Sequence, residues 1–134
     1  FGFSTLEGLE IPNYFLTEQK GYAENLKIIN GRDIDFMVMP GDLVQGGGYQ
    51  PGWDEFFRHN AGEFDRGFSN YPVIPSFVNW ENFGALNGGY GDTPDGEFAP
   101  VVSRKKYQAY FKTPVSDPLQ KHGQSYYRSD YGPV

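Results

Sequence analysis

Apolar positions change their spacing several times along this chain, and each change marks an element. Asp33-Ile34-Asp35-Phe36-Met37-Val38-Met39 becomes a run without alternation, then stops at Pro40-Gly41-Asp42-Leu43 and enters Gly46-Gly47-Gly48. A short apolar run bounded by Gly and Pro predicts a strand buried on both faces, as in a parallel sheet. Asp42 then stands just past the strand's carboxyl end, the edge at which open α/β sheets bind ligands. Tyr71-Pro72-Val73-Ile74-Pro75-Ser76-Phe77-Val78 repeats the pattern and ends in Asn79-Trp80-Glu81-Asn82. A second polar group thus reaches the same edge, one loop, helix and strand later.

Between these runs the spacing is helical. Tyr22, Leu26 and Ile29 follow the i, i+4, i+7 rule within a stretch from Ile11 to Asn30, and Gly31 is a helix stop. Phe1 to Leu6 reads as a short first strand, so strand, helix and strand follow one another as a βαβ unit. Pro51 to Arg58 opens a second amphipathic helix with Trp53, Phe56, Phe57 and Phe64 near one face, and Asp54 and Glu55 suit its positive end. Residues 84–100 are Gly, Asn, Asp and Pro-rich loop, long enough to suggest a binding or lid segment. Ser103 is placed to cap a short helix through Phe111, with Tyr107, Tyr110 and Phe111 turned inward. The stretch from Ser125 to Gly132 alternates partly and reads as the first arm of a hairpin.

Composition narrows the function classes. With 134 residues, 38% hydrophobic and 18% aromatic, the chain makes at most one ordinary domain with a real core. Seventeen acidic against eleven basic side chains give a net charge of -6, and no basic cluster exceeds Arg104-Lys105-Lys106, which argues against a nucleic-acid partner. The absence of cysteine excludes a disulfide framework, a thiolate nucleophile and cysteine-ligated zinc. No apolar run reaches the roughly 18 residues of a membrane span, so no membrane partner is expected. Phe1 opens inside an apolar Phe-Gly-Phe and Val134 closes where a strand is starting. The expectation is therefore one partial domain over residues 1–134, its sheet edge covered by the chain's own C-terminal continuation or by neighbouring chains.

Gly41-Asp42-Leu43, Trp53-Asp54-Glu55-Phe56, Val73-Ile74-Pro75 leading to Asn79-x-Glu81, Tyr107-x-x-Tyr110-Phe111 and Tyr126-Tyr127-x-x-x-Tyr131-Gly132-Pro133 together resemble the calcineurin-like metallophosphoesterases, in the branch of the purple acid phosphatases. The resemblance covers nearly the whole chain and the first half of that family's domain. It implies an α/β fold, the N-terminal half of a sandwich with a mixed sheet and helices packed on it. It also implies two divalent or trivalent ions of the Fe, Zn or Mn class, and a metal-bound hydroxide that attacks a phosphate ester. Asp42 would be the carboxylate bridging both metals and Asn79 a ligand to one of them. A secreted location is slightly favoured by the same resemblance.

Three positions depart from the family's pattern. Ser4 and Leu6 stand where an Asp-x-His motif belongs, and Trp80 occupies the histidine position of an Asn-His-Glu motif. Tryptophan has one N–H donor and no group that titrates near neutral pH, so it cannot act as a general acid. These departures sustain an alternative, an inactive member kept for binding or for extracellular structural assembly, without metal. His59 and His122 have polar neighbours and are expected to be exposed. Asp92-x-x-Asp95-Gly96-Glu97 lacks the alternation of an EF-hand loop and is expected to be a plain turn.

Overall fold

The computed structural model describes residues 15–64, 66–84, 89–114 and 127–132. Helices and strands mix as α/β. In chain order they are α1 (Phe15–Asn30), β1 (Met37–Met39), α2 (Gln50–Arg58), α3 (Gly67–Asn70), β2 (Val73–Pro75) and α4 (Ala99–Tyr110). A π-helical turn, His59–Glu63, continues α2, and a 3-10 turn, Trp80–Asn82, follows β2. The expected first strand and the segment around His122 lie outside the described residues.

Strands β1 and β2 pair in parallel with Met37 opposite Val73, Val38 opposite Ile74 and Met39 opposite Pro75. Helices α2 and α3 lie between them in sequence, so the pair is a βαβ unit. Met37 and Met39 are both buried, and Met39 packs in the core of Leu43, Val44, Trp53, Phe56 and Tyr107. Val38 faces the other way and is 54% exposed, which corrects the expectation of burial on both faces. Among the described residues the aromatic helices cover only one side of this pair. The outer side is an open cleft where Val38 meets Phe36, Ile74 and Ser76, with Tyr127 at its wall.

Trp53 sets the helical layer. Its ring lies against Phe56, Phe57, Tyr110 and Phe111 at centroid distances of 5.2–6.2 Å, so α2 and the end of α4 share one aromatic cluster. Helix α2 begins at Gln50 with Pro51 in its first turn, and no acidic residue falls in that turn. Asp54 and Glu55 therefore lie inside the helix rather than at its positive end. Glu55 is buried, with an oxygen 3.9 Å from His59 Nε2. His59 is 1% exposed and stacks on Phe64 at 4.1 Å. The expectation of an exposed histidine fails because the π-helical turn carries that ring inward, towards Tyr22 of α1.

Helix α1 buries Tyr22 and Leu26, half-buries Ile29, and ends at Gly31, whose N–H returns to Lys27 O at 3.0 Å. Helix α4 starts four residues before the expected cap. Phe98 precedes it, Pro100 occupies its first turn, and no side chain caps it. Ser103 is instead buried in the helix interior, while Tyr107 turns inward as expected. Residues 127–132 form no strand among the described residues. Tyr127 donates its hydroxyl to Pro75 O, and Tyr131 lies 5.0 Å from Phe36, so this segment runs across the outer side of the sheet.

Candidate functional site

Parallel pairing puts both strand ends at one edge, and each end leads into a loop that carries a candidate ligand. After β1 the chain turns through Gly41 at φ 105° and Asp42 at φ 53°. Both lie in the left-handed region, and Asp42 is the only non-glycine there among the described residues. Gly41 is required for a second reason, since a Cβ at that position would collide with the side chain of Val78. The turn after β1 is thereby pressed against the residue that precedes Asn79.

Asp42 is half-buried, and its Oδ1 is buried with no hydrogen-bond partner among the described residues. Asn79 is exposed at the start of the 3-10 turn, and its side chain does not cap that turn. Trp80 is half-buried with its ring 5.1 Å from Phe83, which in turn meets Tyr90 edge-on at 4.7 Å. Ser4 and Leu6 lie outside the described residues. Asp92 to Glu97 is a turn closed by Thr93 N–H to Glu97 O at 2.7 Å and by an Asp92–Phe98 bridge.

Glu81 organises this edge and was not singled out by the sequence. It is fully buried, at 0% exposure. One carboxylate oxygen accepts the N–H of Leu43, and the other accepts the N–H of Val78 at 2.9 Å. Leu43 directly follows Asp42, and Val78 directly precedes Asn79. Burial raises the Glu81 carboxyl above its ordinary value; the two amides oppose the shift, and the nearby charge of Asp42 adds to it. The only sequence signal for this role is the spacing Asn79-x-Glu81, which says nothing of two partners on separate loops.

The Gly-rich loop is shaped around the same residue. Ser103 donates its hydroxyl to the Glu81 carbonyl, and a Cβ on Gly47 would strike both groups. Gly48 N–H bonds to Phe83 O at 2.8 Å, and Gly84 comes so close that its Cβ would lie 2.7 Å from Gly48 Cα. Trp53 Nε1 reaches Gly47 O at 2.7 Å. The loop is thus anchoring material, packed from both sides.

Two tests bear on a metal ion. The orphaned Asp42 oxygen is the kind of buried anionic group that a cation compensates, so this residue fits. The Glu81 carboxylate is engaged by two amides, one on each oxygen. Among the described residues, no group of three or more His, Asp or Glu side chains comes together. No family model, curated protein or solved structure matches the chain.

Proposed function

We propose that this chain carries the metal-binding edge of a phosphoesterase-like hydrolase, built as half of a metallophosphoesterase-type sandwich, with a phosphate ester as substrate. The observation that carries the reading is Asp42, a left-handed residue at the carboxyl end of β1 whose buried Oδ1 has no donor among the described residues. Leaving such an oxygen without a partner costs roughly 1–3 kcal/mol. A backbone turned into an unfavourable region to present that oxygen is the pattern of a functional position.

In this reading Asp42 would hold metal through its carboxylate, and Asn79 would add a neutral amide oxygen from the neighbouring loop. When bound, a pair of ions neutralises phosphate charge and acidifies water enough to supply hydroxide at neutral pH. Glu81 holds the two loops, and Trp80 offers the substrate an aromatic face or a single N–H. Transfer of a proton to the leaving group falls to a group other than Trp80, which has none to give near neutral pH.

Trp80 also supports a second reading, an inactive relative that binds rather than hydrolyses. The Trp80, Phe83 and Tyr90 rings form a continuous aromatic series beside Asn79, a surface suited to protein or glycan contact. Metal content and turnover of a generic phosphate monoester by the full-length protein separate the two. Bound metal with turnover supports the hydrolase; a protein without turnover at any metal loading supports the binding reading.

A further inference from the structure

We infer that Glu81 is the positioning residue of the proposed metal site, the side chain whose hydrogen bonds set the backbone beside Asp42 and Asn79 relative to each other. This rests on the reading of Asp42 and Asn79 as ligands. The juxtaposition is specific: the carboxylate accepts from the amide immediately after Asp42 and from the amide immediately before Asn79. These amides belong to loops that follow different strands, and no backbone ladder continues the pairing of β1 and β2 out to them. The last sheet-like contact is Ser76 N–H to Met39 O at 2.8 Å. Beyond it, Gly48 N–H to Phe83 O joins the loops farther on, and the described hydrogen bonds to the backbone flanking Asp42 and Asn79 across the edge are those of Glu81.

The chemistry selects a carboxylate. Two N–H donors converge on one buried side chain, and a carboxyl group presents a separate oxygen to each. A glutamine of nearly the same volume presents one acceptor and one NH2, so one of the two amides loses its partner and faces a donor instead. The backbone next to either Asp42 or Asn79 is then free to shift. Residues that hold metal ligands in place commonly change metal affinity by about 10- to 100-fold when altered. Ser103 supplies the contrast, because it bonds to the backbone carbonyl of Glu81 and leaves the carboxylate untouched.

The test is calorimetric titration of the metal-free full-length protein with Mn2+, comparing the wild type with Glu81→Gln and Ser103→Ala. A positioning role raises the Mn2+ dissociation constant of Glu81→Gln by at least about tenfold at unchanged stoichiometry, while Ser103→Ala stays within about threefold. A merely structural role lowers the stoichiometry, because less protein is folded, and leaves the dissociation constant of the folded fraction alone. Wild-type NMR provides a second measurement that needs no variant. Diamagnetic Zn2+ should shift the Leu43 and Val78 amide protons along one common binding curve. Equal Mn2+ affinity in Glu81→Gln, or Leu43 and Val78 amides that ignore Zn2+ while the protein binds it, overturns the positioning role and leaves the metal reading standing. A wild type that binds neither ion overturns both.

Discussion

Trp53 donates its indole N–H to the carbonyl of Gly47 at 2.7 Å, joining the aromatic core to the loop that wraps the candidate site. Both residues are buried. Replacing Trp53 with Phe keeps an aromatic ring but leaves that carbonyl without its donor and opens a small void. The expected loss is about 2–4 kcal/mol of folding stability, read from urea denaturation. A loss below about 0.5 kcal/mol would show that the bond contributes nothing net.

Two glycines predict opposite outcomes. Gly21 lies on the exposed side of α1 with nothing within 4 Å of where a Cβ would stand, so Gly21→Ala should stabilise the protein by about 0.5–1 kcal/mol. Gly47 has no such room, because a Cβ there meets the Glu81 carbonyl and Ser103 hydroxyl, and backbone cannot move aside cheaply. Gly47→Ala should therefore lose more than about 3 kcal/mol. Thermal melts of the two variants check this directly, and a folded Gly47→Ala with an unchanged melting temperature contradicts it.

Burial pushes the Tyr22 phenol from 10.0 up to about 12, with its bond to Asn60 opposing the shift. The unfolded chain then loses this proton before the folded one does. Its contribution is complete below pH 10 and is lost as the pH rises towards 12, a change of about 2–3 kcal/mol. Tyr107, raised chiefly by burial, acts in the same direction. Urea midpoints measured from pH 9 to 11.5 should fall steadily, and Tyr22→Phe should flatten part of that slope. An equal slope in the variant rules out Tyr22 as a source.

Asp42 should separate function from stability. Asparagine tolerates the left-handed backbone and carries no charge, so Asp42→Asn should keep or raise metal-free stability by up to about 1 kcal/mol while losing most metal affinity. Metal-free melting curves and Mn2+ titration read the two effects independently. A variant destabilised by more than about 1 kcal/mol with metal binding intact reverses the assignment of Asp42.

These outcomes trace what the sequence could express. The two strands are legible because Met37–Met39 and Val73–Pro75 are short apolar runs bounded by Pro and Gly, and α1 because Tyr22, Leu26 and Ile29 keep helical spacing, while the βαβ unit expected to start at Phe1–Leu6 has its first strand outside the described residues. Ser103 misled because a serine ahead of a helical stretch looks like a cap, whereas Pro100 had already opened the helix. The polar sequence neighbours of His59 point to exposure, but its surroundings are Tyr22 and Phe64, set by a π-helical turn. Glu81 was hidden for a related reason. Its partners are two backbone amides, which no side-chain pattern records.

The proposed metal site depends on the oxygen of Asp42. Anomalous diffraction at the Mn edge, from Mn2+-soaked crystals of the full-length protein, tests it most directly. The expected result is a peak about 2.0–2.3 Å from an Asp42 carboxylate oxygen, with the Asn79 side-chain oxygen in the same shell. No peak at Asp42, with its Oδ1 instead hydrogen-bonded to protein or water, contradicts the account.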